Sequence, residues 1–255
     1  VPNVLPIADV DAIRDRLDKY FGADDATVEM HATEFLGQEL LWQPVLQDKV
    51  VSAVKSILGD SYTLFPNMTV RKSLYVGWHV DSAFTGEGKS YVWEREFKHV
   101  QGAIYLQDNT ADFGGGLDLV KGSHKAVIAG MRGDHPLNRT LNTAANRIFR
   151  KRSRLEAKAG DLVLWHARTE HRSTPPYRPE GGPRKYGIFF SAGSTNPYYA
   201  HRYLTHLIGQ TWQRRGGEPT LFPRYRDIVD VRYPDGFPQR FRRRVEDAHI
   251  NVASF

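Results

Sequence analysis

The sequence predicts a double-sheet β core, a sandwich or barrel, with flanking helices. Three observations predict it. Between Tyr62 and Ala192 the chain breaks into short β-rich runs separated by Gly, Pro, Asn and Asp. Helical periodicity is confined to the two ends of the chain, and no strand–helix–strand rhythm appears between them.

The elements follow in order. Asp9 or Asp11 can cap a helix whose Val10, Ile13, Leu17 and Tyr20 fall at three- and four-residue steps, giving one apolar stripe. A second helix, from about Leu46 to Leu58, puts Val50, Val54, Ile57 and Leu58 on one side and stops at Gly59. The expected strands are Tyr62–Phe65, Met68–Val76, Val100–Gln107, Leu117–Val120, Leu155–Ala157, Leu162–Trp165 and Tyr186–Ser191. Tyr199, Tyr203, Leu207 and Ile208 predict a further helix near Tyr198 to Trp212, and the tail beyond is rich in Pro and Arg. Without repeats, low-complexity tracts or a long linker, the expectation is a single domain over 1–255. It would have a helical part at 1–60, a β core at about 61–195 and a helical or irregular part at 196–255.

Composition excludes several classes. The 255 residues include no cysteine, so disulfide scaffolds, zinc ribbons and thiol nucleophiles are out. No run approaches the ~20 apolar residues of a membrane helix. Val1-Pro2-Asn3 opens without the basic and apolar segments of a secretion signal, so a soluble, cytoplasmic protein is expected. The net charge of +6 is local, with Arg147, Arg150, Lys151, Arg152 and Arg154 in one cluster and Arg240, Arg242, Arg243 and Arg244 in another. These read as solvated or ion-paired faces, or as contacts to an anionic substrate or surface. Nucleic acid is disfavoured, because no helix-turn-helix, zinc-finger or RNA-recognition signature occurs.

Chemistry enters at Gly77-Trp78-His79-Val80-Asp81. Residues two apart on a strand face the same side, so His79 and Asp81 can aim an imidazole and a carboxylate at one point. Two histidines and a carboxylate on one face of an octahedral ferrous ion leave three positions open. Downstream, Gly160-Asp161-Leu162-Val163-Leu164-Trp165 reads as a turn and a buried strand running into His166 and His171, and both are candidates for the second histidine. Thirteen residues after His171, Arg184 stands at the entrance of Tyr186–Ser191. An arginine beginning a buried strand needs an anion, either a ligand carboxylate gripped by its planar fork or an internal Asp or Glu.

Together these residues resemble a family. His79-X-Asp81, the stretch Gly115-Gly116-Leu117-Asp118-Leu119-Val120-Lys121-Gly122-Ser123-His124-Lys125, Gly160-Asp161-Leu162-Val163, His171 and Arg184 are similar to the phytanoyl-CoA dioxygenase-like oxygenases. The likeness covers roughly 60–195. It implies a double-stranded β-helix (jelly-roll, cupin-like) fold and dependence on Fe(II) and 2-oxoglutarate, with O2 as co-substrate and succinate and CO2 released. It also implies His79, Asp81 and His171 as metal ligands, with His166 packing nearby and His124 structural. Arg184 would grip the distal carboxylate of 2-oxoglutarate and Ser173 would offer it a hydroxyl. Gln101 and Tyr105, alternating inward on one strand, are expected beside the cofactor. Arg71 and Lys72 are further candidate anion contacts, of which one must point away.

Asp81 itself bears on the reaction. Related halogenases carry a small residue where the carboxylate ligand stands, so its presence here disfavours halogenation. No protein general base is required for hydroxylation, and none is assigned. The substrate is expected to be a small metabolite or natural-product intermediate, polar or anionic. It would be walled by Ser82 to Phe97 (with Phe84, Tyr91, Trp93 and Phe97), by Ala126 to Arg154, and by the tail. The competing class is a cupin-like protein that binds metal or ligand without turnover, which has no need of a carboxylate clamp. A third, a basic surface module, rests on the arginine clusters alone and predicts salt-sensitive binding.

Overall fold

The computed structural model describes residues 1–23, 29–30, 32–65, 67–81, 90–125, 136–178, 181–209, 211–212, 220–221 and 238–253. Its first helix, α1 (Ile7–Phe21), buries Val10, Ile13, Leu17 and Phe21. Neither Asp9 nor Asp11 caps it. Pro6 takes the cap position without a side-chain bond, because its fixed φ is already set for a helix entry. Short helices α2 (Ala32–Leu36) and α3 (Glu39–Trp42), unforeseen in the sequence, lead through a 3-10 turn (Gln43–Leu46) into α4 (Asp48–Leu58). There the buried stripe is Val50, Val51, Val54 and Leu58, while Ile57 is 47% exposed, one position off the expected face.

The strands are β1 (Thr63–Leu64), β2 (Thr69–Lys72), β3 (His99–Tyr105) and β4 (Leu117–Val120). After α5 (Pro136–Phe149), another unforeseen helix, come β5 (Arg152–Leu155), β6 (Leu162–His166), β7 (His171–Ser173) and β8 (Tyr186–Gly193). Helix α6 (Pro197–Gly209), the mutually paired β9 (Thr211–Trp212) and β10 (Thr220–Leu221), α7 (Gln239–Asp247) and β11 (Asn251–Val252) complete the described chain. The strand expected at Leu155–Ala157 falls earlier, at β5, where Arg152–Leu155 pairs with Leu117–Val120.

Two sheets hold the molecule together. The larger runs β11-β1-β8-β3-β6, with β2 paired to the first half of β8, and only β1–β11 is parallel. The smaller runs β5-β4-β7, antiparallel throughout. Strand alternation sorts the larger sheet's residues. Val70, Val100, Ile104, Ile188 and Phe190 join α1 and α4 in the main core. Ala103, Tyr105 and Trp165 turn the other way and meet Leu117, Leu119 and Leu155 of the smaller sheet in a second cluster. Each large apolar side chain so buried stabilises the fold by about 1.5–3 kcal/mol. No described helix is long and apolar enough to cross a membrane.

Candidate metal centre

The space between the sheets is not filled at one end. A cavity of about 110 Å³ remains there, lined by Asn67, Arg71, His79, Asp81, Gln101, Tyr105, Trp165, His171, Ser173, Phe189 and Tyr203 among others.

The side chains that could hold a metal come from two neighbouring stretches. Val76 O accepts a bond from Ser173 N–H (2.9 Å). His79 and His171 exchange both backbone bonds at 2.9 Å. The 76–79 stretch thus lies antiparallel beside β7, as an extra edge to the smaller sheet. Alternation then sends His79 and Asp81 inward beside His171. One ligating atom from each of the three lies within 4.8 Å of the others. His79 Nε2 is 3.4 Å from Asp81 Oδ1, and the two imidazole centroids are 4.4 Å apart.

Hydrogen bonding fixes which nitrogen faces inward. His79 Nδ1 lies 2.7 Å from Gly77 O, and His171 Nδ1 lies 2.8 Å from Thr169 O. A carbonyl only accepts, so each Nδ1 carries a proton and each Nε2 is the ring nitrogen turned to the cluster. Burial would raise the Asp81 carboxyl, but the His79 hydrogen bond and the charges of His171, His79 and Arg71 bring it down to about 2. The carboxylate is therefore ionised. Burial pushes His171 down and keeps its ring neutral. Burial acts the same way on His79, where the bonds to Asp81 and Gly77 outweigh it and raise the pKa. Two imidazole Nε2 atoms and one carboxylate oxygen on one side of a cavity fit a borderline cation such as Fe(II), which would take the place of the proton between His79 and Asp81.

The cationic residue of the cavity is Arg71. Its guanidinium lies 4.7 Å over the Phe189 ring, and its Nε donates to Glu29 Oε1 at 2.9 Å. Arg71, Gly187 and Tyr105 stand in register across β2, β8 and β3. Gly187 leaves the space the Phe189 ring occupies, since a Cβ there would lie 2.8 Å from Phe189 Cε2. Lys72 points away, fully buried, with its ammonium 5.4 Å from the Phe21 ring.

Arg184 requires a correction. It does not line the cavity. Its guanidinium is on the outer rim, where Nη1 donates to Asp18 Oδ1 at 3.3 Å, and its side chain is 41% exposed. The internal carboxylate of α1 answers its charge, because the residue sits before β8 and outside the strand's inward alternation.

The other expected positions divide. Ser173, Gln101 and Tyr105 line the cavity. Ser173 Oγ accepts from Val76 N–H at 3.0 Å, and burial raises the Tyr105 phenol. His166 stays outside, its ring stacked 5.0 Å from His124 and its Nδ1 accepting from Arg168 N–H. The Gly-Ser-His turn serves β7 through Ser123 Oγ, which accepts from Glu170 N–H at 2.8 Å. Phe84 and the rest of 82–89, like 126–135, lie outside the described residues.

Sequence reasoning missed three wall residues. Trp165 sits in register with Gln101, its buried indole N–H without a partner among the described residues. Asn67 Nδ2 donates to Tyr203 Oη at 3.2 Å, and Asn67 Oδ1 accepts from Ser191 Oγ at 2.7 Å. Register parity with Gln101 was the available signal for Trp165. Asn67 carried none.

Comparison with known proteins places the chain in a family and among solved folds. The family model for phytanoyl-CoA dioxygenase matches residues 1–176. Among solved structures, the chain is similar to the non-heme alpha ketoglutarate dependent epimerase SnoN from nogalamycin biosynthesis (16% identity, 76% of this chain and 77% of that one, TM-score 0.56). It is also similar to the carbocyclase SnoK of the same biosynthesis (17%, 76% and 78%, 0.56). HygX from Streptomyces hygroscopicus, solved with nickel and 2-oxoglutarate bound, matches at 15% identity over 77% of this chain and 82% of that one, with a TM-score of 0.57. These likenesses establish a shared fold. Among curated proteins none matches.

Proposed function

The chain belongs to the phytanoyl-CoA dioxygenase family, a family of Fe(II)- and 2-oxoglutarate-dependent enzymes, and on that premise we propose that it oxidises a small metabolite or natural-product intermediate, by hydroxylation, releasing succinate and CO2. One observation carries the reading: His79, Asp81 and His171 bring two imidazole Nε2 atoms and an ionised carboxylate to one wall of the cavity. They would hold Fe(II), which supplies the activation of O2 that no protein side chain can provide.

The chain's own residues do the rest. The backbone carbonyls of Gly77 and Thr169 hold the protons of the two imidazoles, keeping both Nε2 atoms turned to the metal. Arg71, seated on Phe189, would meet the distal carboxylate of 2-oxoglutarate, and Tyr105 stands in register with it across Gly187. Ser173 and Gln101 line the same cavity and would lie beside the cofactor. Asp81 supplies the ligand whose absence marks halogenases, which supports oxygenation. The two facing sheets are read as the halves of a jelly roll within one domain. Neighbours solved with nogalamycin RO and with hygromycin B bound support a natural-product substrate.

The test is anaerobic addition of Fe(II) and 2-oxoglutarate. A weak visible charge-transfer band is expected, absent in His79→Ala and displaced to much higher 2-oxoglutarate concentration in Arg71→Ala. A wild-type chain that gives no band and takes up no Fe(II) overturns the assignment and favours binding without turnover.

A further inference from the structure

We propose that Trp78, packed against the guanidinium groups of both Arg152 and Arg172, is a positioning residue for the ligand-bearing segment 79–81; this rests on the metal-centre reading above. The starting point is the basic cluster near residue 150, which the oxidative chemistry leaves unused.

Trp78 precedes His79, and strand alternation sends its ring to the opposite, outer face of the smaller sheet. Arg172 Cζ lies 5.0 Å from the ring centroid and Arg152 Cζ lies 5.1 Å from it. The two cations come from β7 and β5, on either side of β4. Arg172 is anchored independently of the indole. Its Nε and Nη2 reach Asp118 Oδ2 at 2.9 and 2.8 Å. Asp118 is 5% exposed, and its Oδ1 accepts from Thr174 Oγ1 at 2.8 Å and Arg154 Nε at 3.4 Å. Arg152 has no carboxylate partner among the described residues, so the indole face is what meets its charge.

The mechanical consequence follows from how segment 79–81 is attached. Beyond Val76, its backbone pairs with β7 through the His79–His171 exchange alone. That pair fixes His79 in translation but leaves the segment free to tilt about the bond pair. A ring clamped on the far face resists the tilt, and Asp81, two residues on, gains most. Each guanidinium–indole contact is individually modest, and two of them on one ring act together.

Calorimetric titration of the full chain with Fe(II) under anaerobic conditions tests this, alongside the thermal midpoint of the metal-free chain. Trp78→Ala and Arg152→Gln should each weaken metal binding about tenfold, the scale of losing a group that orients a ligand, while the metal-free midpoint stays put. Trp78→Phe and Arg152→Lys should recover most of the affinity. The Trp78→Ala/Arg152→Gln double variant should lose no more than Trp78→Ala alone. Arg152→Gln breaks no ion pair, so it decides the matter if Trp78→Ala fails to fold. Affinity within twofold of wild type in Arg152→Gln, or losses that add in the double variant, overturns the clamp. A wild-type chain that binds no Fe(II) instead overturns the metal centre, and the clamp with it.

Discussion

The two faces of the larger sheet put similar residues to different ends. Arg71 and Lys72 are adjacent cations on one strand. Arg71 turns inward onto Phe189 beside the metal-ligating cluster. Lys72 turns outward and is sealed against Phe21 in the main core. Arg184, before the neighbouring strand, serves neither face and ties the rim to Asp18 of α1. Parity along the strand, and not distance in sequence from the ligand histidine, assigns a cation to the site.

The contrast breaks most visibly at the metal. Asp81→Ala should abolish succinate formation and weaken Fe(II) binding by more than about 100-fold, beyond the 10–100-fold typical of outer contacts, as read by calorimetry. Retained iron affinity would mean that the inner face does not hold the metal through this carboxylate.

Next come the two arginines. Arg71→Ala should raise the 2-oxoglutarate dissociation constant by about 30–100-fold, the value of a charge-assisted hydrogen-bonded pair. Arg184→Ala should leave it within about twofold, since an exposed ion pair contributes little. The reverse ranking, in a titration of the charge-transfer band, would restore Arg184 to the site. Gly187→Ala sharpens the same point. Its Cβ would press into the Phe189 ring that carries Arg71, an overpacking that costs about 1–3 kcal/mol. It should weaken 2-oxoglutarate about tenfold with the iron affinity unchanged.

The smallest effect concerns pH. His99 lies at the far end of the inward-facing row of β3, stacked on Phe65 and Phe97. Burial, with the His166 charge added, pushes its imidazole down to about 3. In the unfolded chain it titrates near 6.5. Between those values the unfolded state takes up a proton that the folded state refuses, so stability falls as the pH drops below about 6.5. The slope is at most about 1.4 kcal/mol per pH unit. Urea midpoints of the metal-free chain at pH 7 and pH 5 measure the loss, and His99→Phe should remove about half of it, since burial also pushes His166 down to about 3. An unchanged slope would assign the acid sensitivity elsewhere.

Much of this was legible in the sequence where a periodic signal existed. Val10, Ile13 and Leu17 face the core as their spacing requires. His79 and Asp81 share a side because a strand repeats every two residues. That one of Arg71 and Lys72 must face the interior followed from the same rule, although which one did not. What escaped was non-local. Arg184 carried the spacing expected of a clamp, yet Asp18, far away in the chain, claims its charge. Asn67 and Tyr203 meet only because α6 folds back over β8, and no local pattern encodes that meeting. Helix α5 does place Leu137, Leu141, Ala145 and Ile148 at three- and four-residue steps, a periodic signal that was passed over because the segment was read for its basic residues.

The imidazoles of His79 and His171 are each braced by a carbonyl only two residues earlier, Gly77 for His79 and Thr169 for His171. Their aim is therefore set inside short local loops of backbone, with no debt to the walls formed by Asn67, Gln101 and Tyr203. Those walls can be recut to admit a differently shaped guest while the oxidising machinery keeps its alignment, which makes this scaffold a ready starting point for redirecting specificity.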